Sequence, residues 1–250
     1  MALLSRLLAA VTATATATAL ALAAPLAPRG AVGSKDIVGL PQTVPAGPIG
    51  DLYLAYQPYL DVVNGCVPFP AVDAAGNTNR GLKRTGSPSG DCSSSTGQVY
   101  VRGGASGGKY VLMYSWYMPK DSPSPGLGHR HDWEGVLIWL SVPAGDPASL
   151  PAITPGAILA VCPSAHGGWA CAAAPAFTLS GTAALVKYKS VWPRDHACGL
   201  TGTVGARQPL VAWESLTGAQ RAALQETDFG SANVPFKDGS WEGNLAGAKF

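Results

Sequence analysis

The sequence predicts a single, mainly β domain, a β-sandwich with peripheral helices. Three observations carry this. The composition is 47% hydrophobic and only 13% charged, with 31 Gly and 21 Pro, which is poor in charge and rich in turn formers for a helical protein. From residue 98 onward, short runs rich in Val, Tyr, Trp and Ile recur between Gly or Pro residues, the pattern of short strands joined by turns. A chain of 250 residues without fixed-period repeats is long enough to bury one sizeable core.

In order, residues 1–24 read as a secretory signal peptide. Arg6 supplies the positive start, residues 7–23 are uncharged Leu, Ala, Val and Thr, and Ala21, Ala23 and Ala24 offer a cleavage site. A membrane anchor is the competing reading, but Pro25 and Pro28 follow where a spanning helix should continue. Residues 25–48 form an extended N-terminal segment, and residues 49–250 the sandwich domain. Leu52, Tyr56, Tyr59, Leu60 and Val63 fit one face of a helix over 49–63, bent or divided by Pro58. After a loop over 67–95, strands are predicted at 98–102, 110–117, 135–140, 157–161, 176–179, 184–189 and 210–212. Near the C-terminus, Thr217 and Gln220 have capping-box spacing, Ala219, Ala223 and Leu224 share an inward face, and Gly230 stops the run.

A formal charge of +2 without Lys/Arg runs argues against electrostatic binding of nucleic acid. Export to an oxidising compartment makes disulfides the expected state of the cysteines. Cys66 and Cys92 bracket a Gly-, Ser- and Pro-rich loop that a bridge would clamp, while Cys162, Cys171 and Cys198 leave one thiol over.

Residue types suited to chemistry converge on Gly128-His129-Arg130-His131-Asp132-Trp133-Glu134, with Asp121 eight residues before His129 across a Pro- and Gly-rich loop. Strand periodicity puts Asp132 and Glu134 on one face. Carboxylates gathered without a counter-charge raise one another's pKa, so the set calls for a cation. One imidazole among oxygen donors suits Mg²⁺, Ca²⁺ or Mn²⁺ better than Zn²⁺, with Asp121, His129, Asp132 and Glu134 as candidate ligands. His131 falls on the opposite face as a hydrogen-bonding support, and Trp133 points into the core. The competing reading is a solvated polar loop in which Arg130 balances Asp132 or Glu134.

Two further loops carry rare residues: Val191-Trp192-Pro193-Arg194-Asp195-His196 and Ser164-Ala165-His166-Gly167-Gly168-Trp169. An exposed Trp192 suits stacking on a sugar or entry into a headgroup zone, and the plainer alternative is a cap on the core edge. Neither His166 nor His196 has a Ser or Cys nucleophile next to it in sequence.

Met113-Tyr114-Ser115-Trp116-Tyr117-Met118-Pro119-Lys120-Asp121-Ser122-Pro123, followed by the heptapeptide from Gly128 to Glu134, resembles the signature of the necrosis- and ethylene-inducing peptide 1-like proteins. The resemblance extends from Asn64-Gly65-Cys66 through Ser164 to Gly167 and Trp192 to His196, as far as Val234-Pro235-Phe236. It implies a sandwich similar to the actinoporin cytolysins and a non-enzymatic toxin exported by plant-associated microbes. Such a toxin binds the sugar headgroups of glycosylinositol phosphorylceramides and permeabilises eudicot plasma membranes, causing necrosis and defence responses. The family's metal ligands fall on Asp121, His129, Asp132 and Glu134. Its membrane-facing Trp falls on Trp192, the adjoining polar positions on Asp195, His196 and His166, and its single type 1 bridge on Cys66 and Cys92. Plant immune receptors that perceive the 114–134 region are implied partners. Alternatives are an extracellular metal-dependent hydrolase, in which the cation activates water, and a non-cytotoxic sugar-binding elicitor.

Overall fold

The computed structural model describes residues 30–142 and 149–250; the signal segment, 1–24, lies outside the described residues. The elements in chain order are β1 (Ala31–Val32), α1 (Pro48–Ala55), β2 (Tyr59–Val62), β3 (Thr78–Asn79), β4 (Val99–Ser106), β5 (Lys109–Asp121), β6 (His129–Ser141) and β7 (Ile158–Ala165). They continue with β8 (Gly168–Trp169), β9 (Ala172–Ala173), β10 (Leu179–Ser180), β11 (Ala183–Lys189), β12 (Ala197–Leu200), β13 (Leu210–Ala212), α2 (Gly218–Glu226) and α3 (Asp238–Gly247).

The larger sheet runs β13-β4-β5-β6-β7-β8, with β9 also on β7; the smaller runs β10-β11-β12, with β2 added in parallel to β11. β5 is central, and from Tyr110 to Asp121 every residue is buried. A strand covered on both faces reads as a continuous apolar run instead of an alternation. Its even-numbered side chains face α1 and the smaller sheet side: Tyr114 donates to the Tyr53 carbonyl at 2.7 Å, and Trp116 donates to Gln208 at 2.8 Å. On the other face Tyr117 and Trp133 meet Phe229, and Trp133 meets Phe236, in a cluster with ring centroids 5.4–5.8 Å apart. The C-terminal segment thus closes the core. Trp133 is packed there, as expected.

The helix predicted over 49–63 ends at Ala55. Pro58 disfavours helical backbone at the residue before it, and Tyr59–Val62 joins β11 as a strand, with Leu60 opposite Val186. The predicted strand at 176–179 survives only as Leu179–Ser180. α2 starts as read: the Gln220 amide donates to Thr217 Oγ1 at 3.3 Å and the Thr217 amide to Gln220 Oε1 at 2.8 Å. It ends at Glu226, before Gly230. Bridges join Cys66 to Cys92 and Cys162 to Cys171, leaving Cys198 as a buried free thiol. No helix among the described residues is long and apolar enough to cross a membrane.

Candidate metal centre

The β5–β6 hairpin builds the site. Its register pairs Trp116 with Glu134, Met118 with Asp132 and Asp121 with His129. In a regular strand, residues three apart point to opposite faces, yet His129 and Asp132 belong to one cluster. The strand changes phase at His131, whose φ is 62°, in the left-handed region that a non-glycine residue rarely occupies. This residue faces Pro119, which has no N–H to give the ladder. Beyond the irregularity, Asp121 and His129 turn to the side that carries Asp132.

Asp121, His129 and Asp132 offer ligand atoms that all lie within 4.8 Å of one another. Asp121 is buried, and its two oxygens accept from His196: the amide at 2.8 Å and the Nδ1 edge at 2.5 Å. His196 is itself buried and stacks on Tyr188 with centroids 4.7 Å apart. Tyr188 donates to Asp132 at 2.7 Å. Nε2 of His129 is 4.0 Å from Asp121 and 3.8 Å from Asp195, and its Nδ1 lies 2.6 Å from the His131 carbonyl oxygen. With Nδ1 committed as a donor to that carbonyl, Nε2 is the nitrogen that faces the carboxylates and is placed to be a ligand. The His131 ring lies on the aromatic face, 2.6 Å from the Tyr117 hydroxyl, so its support of His129 comes from its backbone.

Glu134 lies in the same cleft but is held separately, accepting from the Ser164 hydroxyl and from the Cys198 amide at 3.3 Å. Burial pushes its carboxyl up to about 7 against the two hydrogen bonds, with the Asp121 charge adding to the rise. Asp132 is raised well above the usual carboxylate range, first by burial and then by the charges of Glu134 and Asp121, while the Tyr188 bond opposes. Arg130 does not balance these acids; its guanidinium donates to the Arg80 and Gly81 carbonyls at 3.1 and 3.2 Å. The polar-loop reading therefore lacks its counter-charge. A hard cation fits this donor set of buried carboxylate oxygens and one imidazole nitrogen.

A pH dependence follows for the chelated protein. Glu134 and Asp132 have folded pKa values above their unfolded ones, so the folded chain binds more protons and stability falls as pH rises. For Glu134 the window is from about 4.5 to about 7. Thermal melts in EDTA should show Tm declining across that window, and excess Ca²⁺ or Mg²⁺ should flatten the decline by replacing the protons. A chelated Tm independent of pH would contradict this.

The cluster opens into a cleft of about 500 Å³ lined also by His166, Trp169, Asp195 and His196. His166 is exposed and His196 is a wall residue under Asp121. Trp192, three residues before Asp195 in the same loop, is 70% exposed, next to Val191 at 63%. The core-cap alternative for Trp192 is thereby removed. Sequence reasoning missed two partners, Tyr188 and Ser164. Tyr188 carries the inward position between Lys187 and Lys189, but only the packing of the two sheets reveals that it meets Asp132.

The family model described as necrosis inducing protein (NPP1) matches residues 50–248. The chain belongs to that family. It is 43% identical over 222 residues to NLP effector protein 10 of Phytophthora capsici, covering 88% of this chain and 92% of the relative. The solved structure of NLPPya in complex with mannosamine is 45% identical and superposes with TM-score 0.80, over 88% of this chain and 100% of that one. That of the non-toxic HaNLP3 protein is 34% identical with TM-score 0.77, over 86% of this chain and 97% of the other. The sandwich expected from the sequence is thus the fold of the NPP1 family. A non-toxic relative with this fold makes the site's chemistry, not the fold, the basis for a functional reading.

Proposed function

We propose that this chain is a secreted, non-enzymatic cytolytic toxin and elicitor. In this reading, a cation held by Asp121, His129, Asp132 and Glu134 binds the terminal sugar of glycosylinositol phosphorylceramide headgroups. Permeabilised eudicot cells then undergo necrosis and mount defence responses. The observation that carries it is the Asp121-His129-Asp132 cluster opening into a polar cleft, with an exposed Trp192 on the loop that supplies Asp195 and His196 to its wall. The aminosugar complex of a 45% identical relative supports a hexose as the occupant.

Mg²⁺ or Ca²⁺ fits a set with one imidazole and mostly oxygen donors, and either supplies electrostatic attraction for sugar hydroxyls when bound. Asp121 and Asp132 are pinned by His196 and Tyr188, so their oxygens converge without reorganisation. Asp195 and His166 line the approach. Weak binding of single sugars sums over a membrane through multivalency, and Trp192 enters the headgroup zone. Plant immune receptors are a second class of partner for the 114–134 region. Most of this region is buried within β5 and β6, so a receptor would read it from an unfolded or cleaved chain.

A metal-dependent hydrolase is the competing reading, favoured by a Glu134 carboxyl that titrates near 7 as a general base would. Dye-loaded vesicles containing the purified glycosylinositol phosphorylceramide separate the two. Leakage should require Ca²⁺ or Mg²⁺, stop in EDTA and leave the lipid mass unchanged. Lipid cleavage that accompanies leakage would overturn the toxin reading in favour of the enzyme.

A further inference from the structure

A second cleft, of about 490 Å³, is lined by Lys83, Arg84, Gly128, His129, Arg130 and Ser231. It shares His129 and Ser231 with the cation cleft, so the two adjoin. Their charges are opposite: one is walled by Asp121, Asp132, Glu134 and Asp195, the other carries Lys83, Arg84 and Arg130.

The basic side chains are exposed, and among the described residues none of the three forms a salt bridge. They are nevertheless positioned. Arg84 donates through Nη1 to the Gly128 carbonyl at 3.0 Å, directly before the ligand His129. Arg130, directly after His129, is tied through Nη1 to the Arg80 and Gly81 carbonyls. The loop carrying Lys83 and Arg84 is fastened to the hairpin: Leu82 donates to Pro119 at 2.7 Å, Gly126 donates to the Arg84 carbonyl at 2.8 Å, and Lys120 donates to Ser87 at 2.9 Å. Each guanidinium thus keeps part of its fork for an anion, and the fork geometry matches phosphate or carboxylate oxygens.

We propose that Lys83, Arg84 and Arg130 form a second headgroup subsite, which takes a phosphate-class anion while the adjoining cation cleft holds the sugar of the same molecule. This rests on the sugar-binding reading above. It deepens that reading by giving the anion of the headgroup its own side chains, apart from those that hold the sugar, and linked contacts within one molecule multiply affinity.

The test compares the native protein with Lys83→Gln/Arg84→Gln/Arg130→Gln by vesicle co-sedimentation in Ca²⁺ or Mg²⁺. Three vesicles are used: phosphatidylcholine with a glycosylated inositol-phosphoryl sphingolipid, with neutral glucosylceramide, or with phosphatidylserine at matched surface charge. Each charge removed should weaken binding to the first about fivefold, on the order of a hundredfold for the triple variant, while binding to glucosylceramide vesicles stays native. An equal affinity for the first vesicle would overturn the proposal. So would a loss on glucosylceramide, or a loss on phosphatidylserine as large as on the first, which would reduce the patch to general adsorption. The sugar reading fails separately if EDTA leaves native binding to both sugar-bearing vesicles unchanged, an arm that does not involve the triple variant.

Discussion

Replacing Asp121 with Asn should abolish vesicle leakage and remove the thermal stabilisation by Ca²⁺ or Mg²⁺. Asp121 is expected to give the largest effect of any single position because its carboxylate has two tasks. One is charge: a hard cation loses an anionic oxygen, and its affinity should fall by at least about a hundredfold, beyond what altering an outer partner costs. The other is position, since both oxygens accept from His196 and so fix the loop that bears Trp192. The amide of Asn keeps one acceptor, so the fold should persist with an unchanged far-ultraviolet spectrum. Metal-dependent Tm shifts and leakage from sphingolipid vesicles are the measurements. Full leakage by a folded Asp121→Asn protein would end the metal-site model.

Trp192→Ala should separate recognition from damage. At 70% exposure the indole contributes little to the core, and surface substitutions of this kind change stability by no more than about 0.5 kcal/mol. The cation cluster is elsewhere, so Ca²⁺ or Mg²⁺ should shift Tm as in the native protein. Leakage should nevertheless fall by at least about tenfold, since a Trp in the headgroup zone supplies the apolar part of membrane attachment. Leakage titrations beside metal-dependent melts check both halves. Native leakage from Trp192→Ala would place membrane attachment on other residues.

The strands were legible where burial imposes composition. Residues 210–212 were read to the residue, and the hairpin of β5 and β6 was found but cut short: β6 begins at His129, not at 135. The two-residue spacing put Asp132 and Glu134 on one face, but His129 was read as lying in a loop, because periodicity cannot tell a polar side chain facing a cleft from one facing water. α3 escaped because Gly239, Gly243 and Gly247 offset Glu242, Leu245 and Ala246, and only Trp241 and Leu245 mark its inward face. β2 was hidden inside a helical pattern, since its parallel partner β11 lies more than a hundred residues away. At the site, donor chemistry brought together the carboxylates and His129. Local spacing contains nothing about these partners: Tyr188 and the His196 prop under Asp121 arrive from the far sheet and its loop, and Ser164 from β7, beside β6 in the same sheet but thirty residues on.

The aromatic cluster on the hairpin bears on the order of events in the producing cell. Tyr100, Tyr117 and Trp133 are covered by Phe229 and Phe236, and Ser231, Asn233 and Pro235 wall the cation cleft. A nascent or partly translocated chain lacks all of these. Contacts of such long sequence separation form slowly, so a chain exported as proposed above would stay threadable until they form. The assembled cleft exists only after the final stretch has docked, so a cell that exports this chain unfolded never carries the finished binding surface against the inside of its own membrane.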